Sequence, residues 1–200
     1  SIYCNGNITL NMSGKVTITA SRDNCGIKSS SLVNIYMDEK ANLSITGGKT
    51  DDASDGLFLE DMAGETILNN WDPVDKYIGM CGIDALGVSI SAGTNSTVNI
   101  TGGADSSKFF NIRGGNGINA VVVDIYGEKT TKINIKGGAC TNKKKHYLFQ
   151  VSGTWYYEVP NYGGHGIESY SVNLYGGIYT LNGGSGSKQG GSGVCLCNDD

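Results

Sequence analysis

Short stretches of alternating apolar and polar residues recur along nearly the whole chain, each closing on small residues. The pattern apolar–polar–apolar–x–Gly/Ala–Gly is clearest from Leu43 (LSITGG), Val88 (VSISAG), Val98 (VNITGG), Ile133 (INIKGG) and Val172 (VNLYGG). Looser copies begin at Val16, Val33, Val123 and Tyr179. Period-two alternation sends one set of side chains inward and the other outward, so each copy predicts a short strand. The glycines that follow are expected to turn the chain through positive φ.

A second pattern, x-Gly-Ile, marks a further strand at Ile27, Leu57, Ile83, Ile118, Ile167 and Val194. From Ile27, Ile83, Ile118 and Ile167 it is 6, 5, 5 and 5 residues to the next alternating copy. A further step of 10 separates Val33 from Leu43, Val88 from Val98, and Val123 from Ile133. The chain therefore reads as three short strands per turn. It predicts an all-β parallel β-helix of about six coils, stacked at ~4.8 Å, in a single domain over residues 1–200. One coil could not bury its own Val, Ile and Leu side chains; the stack makes the core continuous. Two-residue hairpin signals are scarce, which counts against a sandwich.

The variable step runs from the last strand of a unit to the next x-Gly-Ile. Counted from Val16, Leu43, Val98, Ile133 and Tyr179, it is 11, 14, 20, 34 and 15 residues. Insertions that share one corner of a solenoid project side by side and build one surface. Lys49–Ser54, Ala104–Asn116 and Ala139–His165 are thus expected as neighbouring loops, with a degenerate coil over Leu57–Met80.

The longest insertion carries Tyr147, Phe149, Trp155, Tyr156, Tyr157 and Tyr162, together with Lys143, Lys144 and Lys145. Aromatic rings among polar groups suit sugars, and lysines suit acidic ones. The same rings could equally form a satellite core that holds the loop against the rod. Lys143, Tyr147, Trp155, Tyr156, Tyr157, Tyr162 and Arg113 are the candidate ligand-binding residues. An acidic run offers Asp51, Asp52 and Asp55 as candidate calcium ligands, since calcium takes 6–8 oxygens; solvated turn carboxylates are the plainer reading. The two arginines, Arg22 and Arg113, each stand four residues before an x-Gly-Ile glycine. Arg113, with Lys108, could serve a lyase as proton-abstracting base, or simply pair with a carboxylate.

Composition narrows the classes. Of 200 residues 31 are glycine, about twice average usage, and 17% are charged with a net charge of −4. No basic field invites nucleic acid, and no apolar run approaches the ~18 residues of a spanning helix. The two histidines are too few for a ligand set, and no nucleophile–base motif occurs. Six cysteines permit disulfides without fixing their pairing. Cys25 and Cys81 share a repeat position with the Asp55–Leu57 copy between them, about 9.6 Å apart and beyond bridging distance. Cys140, on a loop, is the better candidate for a bond.

The run CGIKSSSLVNIYMDEKANLSITGGKTDDASDGLFL resembles a bacterial family of secreted carbohydrate-binding β-helix domains, themselves similar to polysaccharide lyases and including a polygalacturonate binder. The shared pattern recurs over most of residues 8–195. The resemblance implies a secreted or cell-surface, non-catalytic module that binds carbohydrate, acidic polysaccharide included, with calcium as a cofactor. The family's Asp before Gly-Ile is matched at Asp55, while Cys25, Cys81, Asn116, His165 and Ser192 replace it elsewhere. A structural subunit stacking end to end into a filament is the alternative, because terminal coils expose strand edges. A polysaccharide lyase comes third.

Overall fold

A computed structural model describes residues 1–49, 80–104, 113–140, 146–148, 157–159 and 162–197. The chain winds through coils of three strands. The first coil is β1 (Ile2–Cys4), β2 (Ile8–Met12) and β3 (Lys15–Thr19), and the second β4 (Ile27–Ser29), β5 (Leu32–Met37) and β6 (Asn42–Thr46). The third is β7 (Ile83–Asp84), β8 (Gly87–Ala92) and β9 (Thr97–Thr101), and the fourth β10 (Ile118–Asn119), β11 (Val122–Gly127) and β12 (Lys132–Lys136). A small antiparallel pair, β13 (His146–Leu148) and β14 (Tyr157–Val159), precedes the fifth coil. That coil is β15 (Ile167–Ser169), β16 (Ser171–Tyr175) and β17 (Ile178–Asn182), and β18 (Val194–Leu196) begins a sixth.

Equivalent strands stack into three parallel sheets: β1-β4-β7-β10-β15-β18, β2-β5-β8-β11-β16 and β3-β6-β9-β12-β17. This is the expected parallel β-helix, and its register follows the sequence repeat. Ile27, Ile83, Ile118 and Ile167 stack in the first sheet, Ile35, Ile90 and Ile125 in the second, and Ile45, Ile100 and Ile135 in the third. All ten are essentially inaccessible to solvent. The core is thus an isoleucine ladder on each wall, in which every side chain packs on its copies above and below. Outside the third sheet, Thr17, Ser44, Asn99, Asn134 and Thr180 form a polar column, with Asn134 Nδ2 donating to Asn99 Oδ1 at 2.9 Å.

Two expectations need correction. First, β4 pairs directly with β7, β5 with β8 and β6 with β9, so no coil over Leu57–Met80 has a place in the stack. The Asp55–Leu57 triplet copies the first-strand motif, but no alternating strand pair follows it, and stacking requires all three. Second, the glycines after the third strands are not left-handed: among the described glycines only Gly14, Gly176 and Gly177 have positive φ, the last two closing VNLYGG as expected. They are required by close approach. A Cβ on Gly103, Gly138 or Gly184 would overlap the carbonyl oxygen of Gly48, Gly103 or Gly138 respectively.

These glycines form a backbone seam along the corner where the insertions leave and rejoin the stack. Gly115 N donates to Gly103 O, Gly138 N to Gly115 O, Gly164 N to Gly138 O, Gly184 N to Gly164 O and Gly191 N to Gly184 O, all at 2.7–3.0 Å. Side chains are excluded there because the outgoing and returning chains interleave. The seam brings the roots of the expected neighbouring loops to one corner.

Candidate functional site

The candidate residues divide by position. Lys143, Trp155 and Tyr156, and the acidic trio Asp51, Asp52 and Asp55, lie outside the described residues. Tyr147 sits in β13 opposite Glu158, and Tyr157 in β14 opposite Leu148. Arg113 and Tyr162 are brought together: each closes an insertion, and the two bridge as parallel neighbours, with Gly114 N donating to Tyr162 O at 3.0 Å. Tyr162 bridges in turn to Gln189.

Beside them, a recess of about 360 Å³ opens on the outer face of the first sheet. Its polar lining includes Arg113, Asn116, Asn119 and Glu168; Ala85, Ala120, Val121 and Tyr170 supply its apolar side, and Cys81 and Cys197 also reach it. Glu168 projects outward from β15 because Ile167 and Ser169 face in. Arg113 grips it, Nη2 to Oε2 at 2.7 Å and Nη1 to Oε1 at 3.4 Å, with both side chains 22% exposed. Asn116 Nδ2 donates to the same Glu168 Oε2, while Asn116 Oδ1 accepts from Arg113 Nη2 at 3.1 Å and from His165 N at 2.9 Å. One coil further on, Asn119 Nδ2 donates to Asp84 Oδ1 at 3.0 Å, and Lys28 Nζ lies 3.2 Å from Asp84 Oδ2. The ammonium of Lys28 is held above its ordinary pKa, first by its hydrogen bond to Asp84 and then by that carboxylate's charge.

Lys28, Asp84, Asn119 and Glu168 are one column of the first sheet, four residues that the insertion pattern does not point to. Its signal was present: CGIK, CGID, NGIN and HGIE each place a polar residue directly after the inward Ile. Arg113 has the carboxylate partner of the plainer expectation, across 55 residues of sequence. Its charge, like that of Lys28, is balanced within the face. A guanidinium gripped by a carboxylate is a positioned hydrogen-bond donor and a poor proton-abstracting base. Among the described residues, no three His, Cys, Asp or Glu groups stand together as a metal site.

His165 follows Asn116 in the corner column. Its Nδ1 accepts from Ser192 N at 2.9 Å, which requires the neutral ring in its Nε2–H tautomer. Its pKa is lowered, first by burial and then by the Arg113 charge. A lowered folded pKa means the unfolded chain binds the extra proton first. The contribution is therefore complete above about pH 6.5 and is lost as pH falls through that value toward the folded pKa. Thermal melts from pH 8 to 5 are expected to show this loss in the wild type. His165→Asn, which can keep an acceptor but cannot titrate, should flatten it; an unchanged slope would exclude His165 as its source.

No family model, curated protein or solved structure matches the chain. The fold and the site therefore rest on the chain's own residues.

Proposed function

We propose that the protein is a non-catalytic, extracellular or cell-surface β-helix module that binds carbohydrate through the recess of the first sheet and the aromatic insertion beside it. The observation that carries this reading is the composition of the recess. An exposed Tyr170 ring and Val121 stand beside oriented amide, carboxylate and guanidinium groups. A sugar presents apolar C–H faces and hydroxyls together, and such a mixed wall matches both. The insertion that holds Trp155 and Tyr156 rejoins the stack at Tyr162, the neighbour of Arg113. In this reading Lys143 and calcium at Asp51, Asp52 and Asp55 extend recognition to acidic polysaccharide, as the family resemblance implies.

A glycan array run with and without calcium is the test, followed by titration of the best ligand. Tyr170→Ala and Trp155→Ala are each expected to weaken binding about tenfold, the equivalent of about 1.4 kcal/mol, with the melting temperature unchanged. Equal affinity in both variants, or no glycan bound, would overturn the reading. Large particles in light scattering without glycan binding would favour end-to-end assembly instead. That alternative draws on β2, β3, β16 and β17, which pair on one side only among the described residues, and on Leu174, an inward position left 37% exposed.

A further inference from the structure

The residue before each Gly-Ile forms a column of its own at the corner next to the recess. Because Ile27 pairs with Ile83, Cys25 lies directly beside Cys81, with Gly26 N donating to Cys81 O at 3.1 Å. Asn116, His165 and Ser192 continue the column. The expectation that a coil separates the two cysteines is thus wrong, since the Leu57–Met80 segment adds no coil. One coil step is ~4.8 Å, inside the 4.4–6.8 Å range of Cα separations that a disulfide spans.

We propose that Cys25 and Cys81 are a reversible dithiol–disulfide pair that clamps the second coil to the third at the edge of the recess. The two thiols already hydrogen-bond to each other, which holds the Cys25 thiol below its ordinary pKa and, with burial, pushes that of Cys81 well up. Sharing a proton in this way makes Cys25 the better thiolate. Cys25 is buried, but Cys81 is half-buried and lines the recess, so an oxidant meets the pair from that side. With glutathione disulfide as oxidant, one S–S bond breaks and one forms. Two electrons pass to the glutathione sulfurs, the two cysteine protons end on them, and two glutathione thiols leave.

Geometry selects this pair over the others. Cys197 shares the recess with Cys81, but it follows β18, three coil steps from β7 and roughly 14 Å along the stack, too far to bridge. Cys140, the expected bonded residue, is buried at the base of its insertion, where its N–H donates to Ser185 O at 2.8 Å. The Cys25–Cys81 bond would close a loop of 55 intervening residues, including the whole 50–79 insertion. Cross-links that close long loops restrict the unfolded chain most.

The test is to equilibrate the full chain in glutathione buffers from fully reduced to fully oxidised, block the remaining thiols and map tryptic peptides without reduction. The expected result is a linked peptide pair carrying Cys25 and Cys81, reversed by dithiothreitol. A rise in melting temperature on the order of 10 °C should accompany it. Cys25→Ser and Cys81→Ser should abolish both effects; Ser192 already fills this column position, so serine fits it. Peptide mapping of the wild type decides the matter even where a variant fails to fold. Thiols that persist in fully oxidised buffer, or Cys81 linked to another cysteine, would overturn the proposal. A Cys25–Cys81 bond with no change in melting temperature would overturn the clamp. Glycan binding plays no part in these readouts.

Discussion

Replacing Gly138 with valine is expected to abolish folded protein. Gly138 N donates to Gly115 O at 2.7 Å and its carbonyl accepts from Gly164 N at 2.9 Å, so its backbone is held on both sides. A Cβ there would overlap the Gly103 carbonyl. The obstacle is the main chain of a neighbouring coil rather than the end of a flexible side chain, so relief must displace a coil and the ladders attached to it. A displacement of that kind costs about 4–5 kcal/mol or more, a large part of the ~5–15 kcal/mol that holds an ordinary domain together. Soluble yield and thermal melts by circular dichroism measure the effect. Gly6→Ala is the control, since a Cβ there meets nothing within 4 Å, and its effect should stay within about 0.5 kcal/mol. A Gly138→Val protein that melts within a few degrees of wild type would show that the seam yields.

The second large effect is expected at Glu168. Glu168→Leu strips the acceptor from both Arg113 and Asn116 Nδ2. Donors left unsatisfied at a partly covered site cost about 1–3 kcal/mol, and the 22% exposure of both side chains lets water reduce the figure toward the lower end. Removing both ends, as Arg113→Met with Glu168→Leu, should restore part of that loss, because the stranded charge goes with its partner. Glu168→Gln keeps the shape while leaving the guanidinium unbalanced. Acidic glycans should then bind more tightly, with a steeper dependence on salt. A Glu168→Leu protein as stable as wild type, with no coupling to Arg113, would mean that the pair contributes nothing.

Much of this site was written locally. In NGIN and HGIE the inward isoleucines fix which way Asn119 and Glu168 point, since alternation leaves one choice per strand. The shared phase of the insertions likewise put Arg113 and Tyr162 at one corner. The grip of Arg113 on Glu168 was not legible in this way. It crosses from one coil to the next, and the distance in sequence between neighbours is set by the insertion length rather than by any local pattern.

Alternation and the regular steps from Ile27, Ile83, Ile118 and Ile167 determined the strands, their inward faces and the single corner that receives the insertions. Each follows from one residue's relation to the next few. Stacking partners were decided only by the tertiary structure. It removed the expected Leu57–Met80 coil and thereby set Cys25 against Cys81. It also showed that the seam glycines are demanded by interleaved backbones, not by left-handed turns. A repeat motif records what a segment could do alone; whether it joins the stack depends on completing three strands whose hydrogen bonds and core contacts all find partners in the neighbouring coil.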